Sequence, residues 1–133
     1  MAEPKTLDRC ASPQMPALPT QPEELNRDIR RYLEYHLGRF LGCAPSYLYE
    51  SLAYTIRDRI MSDWRNTWCM QQRDGVRKAH YLSLEYLIGR SLGNHLLNLE
   101  LRGPVEQAVK VFAVSLEEIQ DAEPDAGLGN GGL

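Results

Sequence analysis

The strongest constraint in this sequence is a glycine run near its C-terminal end, Asp125-Ala126-Gly127-Leu128-Gly129-Asn130-Gly131-Gly132-Leu133. A turn without Cβ atoms reaches positive φ and lets the backbone come close to a ligand. Its successive N–H groups can converge on an anion, most effectively where a helix begins directly afterwards. No such helix follows Leu133 here, so the run is expected to be a ligand loop cut from a larger protein. Two other readings of the same residues stay open. Gly127-x-Gly129-x-x-Gly132 formally satisfies the dinucleotide fingerprint, but that pattern needs a strand before it and a helix after it. Here the acidic, proline-ended segment from Glu117 to Asp125 precedes it. A flexible glycine-rich terminus is the plainer alternative.

The rest of the chain reads as mainly helical with one strand. Residues 1–20 carry Pro4, Pro13, Pro16 and Pro19 with little apolar periodicity, the pattern of a disordered arm or a tail laid over a surface. From residue 21 onward the chain reads as the start of one domain. Thr20-x-x-Glu23 has the capping-box spacing. Leu25, Ile29, Tyr32, Leu33, His36, Leu37 and Phe40 then fall on one helical face. After Gly42 and Pro45, Ser46 is expected to cap a long second helix reaching about Gln72. Its stripe of Tyr49, Leu52, Ala53, Ile56, Ile60 and Trp64 is expected to face a core, with Arg57, Asp58, Arg59 and Asp63 in water.

Asp74-Gly75 ends that helix. The run from Ala79 to Leu84 suits a buried strand. Leu92, Leu96, Leu97 and Leu99 support a short helix, and Gly103-Pro104 opens another with Val105, Ala108, Val109 and Phe112 inward. Ser115-x-x-Glu118 is a second capping-box pattern, opening a short helix that Pro124 ends. One strand cannot satisfy its own backbone groups. Its partners are expected outside these residues.

The formal net charge of -3 leaves no basic footprint for nucleic acid. No apolar run approaches the roughly 18 residues that span a bilayer, and Met1 to Cys10 lacks the apolar core of a secretory signal. Cys10, Cys43 and Cys69 are odd in number and widely spaced, which fits free thiols in a reducing cytoplasm. His36, His80 and His95 have no carboxylate or cysteine at ligand spacing, so no metal site is expected. No nucleophile–base pair stands out. Glu85, in Ser83-Leu84-Glu85, is the other candidate, because strand ends line clefts in α/β proteins. A solvated or helix-capping carboxylate is its ordinary alternative.

Two blocks carry a specific resemblance. His80-Tyr81-Leu82-Ser83-Leu84-Glu85-Tyr86-Leu87-Ile88-Gly89-Arg90 and Glu123 to Leu133 are similar to the N-terminal part of the glycogen/starch/maltodextrin phosphorylases. Ser91-Leu92-Gly93-Asn94, Asn98-Leu99, Leu116-Glu117-Glu118-Ile119, Tyr54-Thr55-Ile56-Arg57-Asp58-Arg59 and Trp64 extend it over about residues 22–133. The resemblance implies an α/β parent of two Rossmann-like domains facing a cleft, with this piece as the helical start of the N-terminal domain. It implies phosphorolysis of α-1,4-glucan by inorganic phosphate to glucose 1-phosphate, with pyridoxal 5′-phosphate as cofactor, in a cytoplasmic homodimer.

Carried over by residue, Asn130, Gly131, Gly132 and Leu133 take positions that approach the phosphates and the transferred glucose, and Glu85 lines the same cleft. The family's Schiff-base lysine lies beyond residue 133, and Lys5, Lys78 and Lys110 match none of its lysines. The chain alone is therefore expected to bind no cofactor and to be inactive. Gln71-Gln72 stands where animal members place a nucleotide-contacting tyrosine, and the arm has no serine set among basic residues. Allosteric regulation of the animal kind is thus not implied. The rival reading is a non-catalytic helical interaction or dimerisation module drawn from the same family.

Overall fold

The computed structural model describes residues 16–83 and 86–129. Helix α1 (Pro22–Arg31) opens on proline, whose missing N–H is unneeded in the first turn and whose φ is already helical. The N-cap is Gln21 without a side-chain hydrogen bond, so the Thr20 capping box does not form. Glu23 and Glu24 at the start and Arg30 and Arg31 at the end suit the helix dipole. A single π-helical turn, Tyr32–His36, continues α1. Leu25, Ile29 and Leu33 are buried, but His36 and Phe40, expected on the same face, are exposed. The wide turn shifts the helical phase after Leu33, and the helix ends before Phe40.

Helix α2 (Pro45–Arg73) also begins on proline, with Ala44 rather than Ser46 at its N-cap. Its buried face comprises Leu48, Ser51, Leu52, Thr55, Ile56, Arg59 and Ser62. That face is rotated from the apolar stripe read in the sequence. Tyr49, Ala53 and Ile60 are half-buried and Trp64 is 58% exposed. The rotation is tolerated because the inward hydroxyls bond back along the helix. Ser51 Oγ donates to the Tyr47 carbonyl at 2.8 Å and Thr55 Oγ1 to the Ser51 carbonyl at 2.9 Å.

Arg59, expected in water, is 5% exposed. Its guanidinium donates to the carbonyls of Thr55 (2.8 Å) and Pro19 (3.1 Å) and to Asp28 Oδ2 (3.0 Å). Ser62 Oγ donates to the Pro16 carbonyl at 3.4 Å. The end of the proline-rich arm is thereby laid beside α2. Asp74 caps the C-terminus of α2, and Gly75 takes φ +61°, as the turn signal requires.

The strand expected over Ala79–Leu84 is not there. Residues 79–83 have no regular structure, with Tyr81 and Leu82 about nine-tenths exposed; Leu84 lies outside the described residues. Strands β1 (Tyr86–Ile88) and β2 (Gly127–Gly129) instead pair antiparallel. The partner comes from this chain, and it is the glycine run itself. Periodicity could not reveal this, because strand position here is fixed by a distant partner whose glycines carry no strand propensity.

Helix α3 (Leu92–Asn98) buries Leu92 and Leu96 and leaves Leu97 exposed. Helix α4 (Arg102–Val109) and the 3-10 turn Lys110–Phe112 bury Val105, Ala108, Val109 and Phe112, as the spacing indicated. Helix α5 (Leu116–Asp121) starts on the full capping box. The Glu118 N–H donates to Ser115 Oγ at 3.1 Å, and the Ser115 N–H donates to the Glu118 carboxylate at 2.7 Å. Helix α1 packs between α2 and α4, and α5 packs on α2. Asn26 Nδ2 ties α1 to the Ala108 carbonyl of α4 at 2.9 Å. Among the described residues every buried side-chain nitrogen and oxygen has a hydrogen-bond partner.

Candidate functional site

The residues singled out for phosphate and glucan contact, Glu85, Asn130, Gly131, Gly132 and Leu133, lie outside the described residues. Their covalent neighbours are described. Tyr86, which follows Glu85, is the register partner of Gly129, which precedes Asn130; Leu87 faces Leu128 and Ile88 faces Gly127.

Three contacts fasten the segment leaving β1 to the segment entering β2. At Gly89, φ is +139°, and a Cβ built there would stand 2.4 Å from Ala126 Cα and 2.7 Å from Ala126 N. Only glycine permits that backbone angle and that approach. Arg90 follows at φ +45°, and its Nε meets Asp125 Oδ1 at 2.8 Å. Both side chains are more than half exposed, so this pair contributes little.

The third contact is stronger. Glu123 is 7% exposed, and its carboxylate accepts the Ser91 N–H at 2.8 Å and the Leu92 N–H at 3.2 Å. The Tyr49 hydroxyl donates to the same carboxylate at 3.5 Å, a long bond. Burial, and then the Glu123 charge beside it, push the Tyr49 phenol above its ordinary range. Sequence reading missed Glu123, because its partners at 91 and 92 are distant in the chain and no local spacing marks it.

A cleft of about 230 Å³ opens beside this fastening. Its walls are Tyr49, Ala53, Ile56, Arg57 and Ile60 of α2, with Ser91, Leu92, His95 and Glu123 opposite. The apolar stripe expected in a core is thus largely the wall of a cleft. His95 lines it, His80 is exposed, and His36 sits edge-on to Tyr54 with ring centroids 4.9 Å apart. No group of three potential metal ligands occurs among the described residues. Cys43 and Cys69 are free thiols; Cys10 lies outside the described residues. No lysine lines the cleft, and Lys78 and Lys110 are both exposed.

No protein-family profile matches the chain. Among curated proteins, a glycogen phosphorylase of Synechocystis sp. is 46% identical over 112 residues, covering 84% of this chain and 13% of that protein. Glycogen phosphorylase 2 of Dictyostelium discoideum is 37% identical over 117 residues, 87% of this chain and 12% of that protein. The muscle form of glycogen phosphorylase from Ovis aries is 38% identical over 111 residues, 83% of this chain and 13% of that protein. The chain therefore spans only 12–13% of the length of these relatives.

Proposed function

We propose, from the premise that this chain belongs to the glycogen phosphorylase family, that its residues serve an α-glucan phosphorylase. The reaction is phosphorolysis of an α-1,4-glucan by inorganic phosphate, releasing glucose 1-phosphate. The 46% identity over 84% of the chain carries this reading. In it, the amides of Asn130 to Leu133 stabilise phosphate charge, and Glu85 lines the same cleft. Oriented backbone amides do this without a side chain that must reorganise during the reaction. The pairing of Tyr86 with Gly129 supports the assignment, since one lies in each of the two blocks, next to Glu85 and Asn130.

The parent enzyme of this reading has two Rossmann-like domains facing a cleft, forms a homodimer and works in the cytoplasm. Among the described residues no helix is long and apolar enough to cross a membrane. Pyridoxal 5′-phosphate, which supplies acid–base chemistry through its phosphate, does not fit the described residues. Their two lysines, Lys78 and Lys110, are solvent-exposed and do not line the cleft beside Glu123. Its lysine belongs to other parts of such an enzyme, and the 133-residue chain alone is inactive in this reading.

A transplant tests it. Residues 22–133 replace the matching segment of the Synechocystis glycogen phosphorylase, and glucose 1-phosphate release from maltodextrin is measured. Retained turnover in the chimera, with none from the isolated chain, is the expected result. A chimera that folds and holds its cofactor yet turns nothing over, or an active isolated chain, would overturn the reading. In the active chimera Gly132→Ala should lower turnover by about a hundredfold or more, and Glu85→Gln by less.

A further inference from the structure

We infer that Glu123 is a positioning residue for the glycine run, tying the entry of β2 to the exit of β1 so that Gly129 stays opposite Tyr86. This rests on the reading that the run contacts phosphate. Glu123 is buried, and no ion pair among the described residues reaches it. Its charge is held by the N–H groups of Ser91 and Leu92 and by the Tyr49 hydroxyl. A buried carboxylate without a cation is costly unless donors replace its water. If the start of α3 needed only a cap, a side chain at position 91 would serve, and Ser91 stands there without capping. A carboxylate reaching over from residue 123 adds something a local cap cannot, a fixed distance between two segments.

That distance governs the strands. Ser91 follows β1 closely and Glu123 precedes β2 closely. The pair is only three residues long and one partner carries two glycines, so the ladder itself specifies register weakly. A slip of one residue would move the start of Asn130–Leu133 by about 3.3 Å. A misplacement of about 1 Å can cost a hundredfold in rate where reacting groups must be aligned. The tie through Glu123, with the Gly89–Ala126 contact beside it, removes that slip.

The test separates a tie from a simple helix cap. In the active chimera, Glu123→Ala should lower kcat at least about tenfold with KM for maltodextrin changed less than about twofold, while Glu123→Gln, which keeps one carbonyl acceptor, recovers most of the loss. Adding Ser91→Asp to Glu123→Ala supplies α3 with a local cap. It should restore the melting temperature and leave kcat low. Restored kcat in that double variant, or unchanged kcat in Glu123→Ala, would overturn the proposal. In the complete 133-residue chain, amide exchange of β1 and β2 should accelerate in Glu123→Ala and stay fast in the double variant; unchanged protection would equally overturn it. Normal turnover in Gly132→Ala would instead remove the phosphate reading, and the exchange measurement would still decide whether Glu123 is a tie.

Discussion

Gly89 and Ala126 approach so closely that a Cβ on the glycine would lie 2.4 Å from the Ala126 Cα, against backbone that cannot swing aside. Gly89→Ala should therefore both strain φ and push β1 from β2, costing about 1–3 kcal/mol. Gly103 is the control. It lies in α4, no atom stands within 4 Å of its added Cβ, and its φ is ordinary. Gly103→Ala should stabilise by about 0.5–1 kcal/mol. Urea midpoints of the two variants should move in opposite directions.

Arg59 joins the arm, α1 and α2 through Pro19, Asp28 and Thr55. Arg59→Ala should cost about 2–4 kcal/mol, at the lower end of the range for breaking a buried pair because Asp28 keeps 26% of its side chain in water. Arg59→Lys should recover only part, since an ammonium cannot reproduce the fork. A double-mutant cycle with Asp28→Asn measures the share carried by the ion pair.

Two phenols should set an alkaline limit. Burial, reinforced by the bond to Asp58, raises the Tyr32 pKa; burial, reinforced by Glu123, raises that of Tyr49. An ordinary tyrosine titrates near pH 10. Above that pH the unfolded chain loses these protons first, so the native state binds more protons and stability falls as pH rises. The contribution is complete below about pH 10 and is lost as pH climbs through the raised folded values. Tyr32→Phe and Tyr49→Phe should each flatten the decline of the melting temperature between about pH 9.5 and 11.5. An unchanged slope in both would remove these phenols from the alkaline transition.

Along α2 the buried face and the exposed side should separate in a substitution scan. Leu52→Ala and Ile56→Ala remove buried side chains and should cost about 2–5 kcal/mol each. Ile60→Ala, half-buried, should cost less, and Trp64→Ala, mostly exposed, below about 1 kcal/mol. Equal losses at positions 52 and 64 would contradict the rotated face.

The helical elements were legible because their signals are local. Val105, Ala108, Val109 and Phe112 recur at helical spacing and are all buried, and Ser115 and Glu118 form the box their spacing indicates. Two helix starts, at Pro22 and Pro45, differ from the hydroxyl-capped positions for one reason. A proline at the first turn, Pro22 or Pro45, begins a helix without any hydroxyl cap, and the hydroxyl nearby drew the boundary to itself. The inward face of α2 departs from its apolar stripe because Ser51, Thr55, Arg59 and Ser62 look like surface residues until their partners are known. Those partners are backbone carbonyls, some of them in the arm, and for Arg59 also the Asp28 carboxylate. For the candidate site, the glycine run and Glu85 were visible by composition and resemblance. Glu123 and the β1–β2 pairing were not, since both depend on contacts between residues far apart in the chain.

The meeting of Gly89 with Ala126 also means that the chain between them leaves and returns at one point. Helices α3, α4 and α5 all lie within that span, and their apolar faces rest on α1 and α2. Such a closed excursion is held by helix packing, and the three-residue ladder lies across its mouth. Opening that mouth would break the ladder and the nearby tie and leave the packing of the helices on α1 and α2 in place. Amide exchange at residues 86–88 and 127–129 is therefore expected to be faster than in the buried turns of α1 and α2.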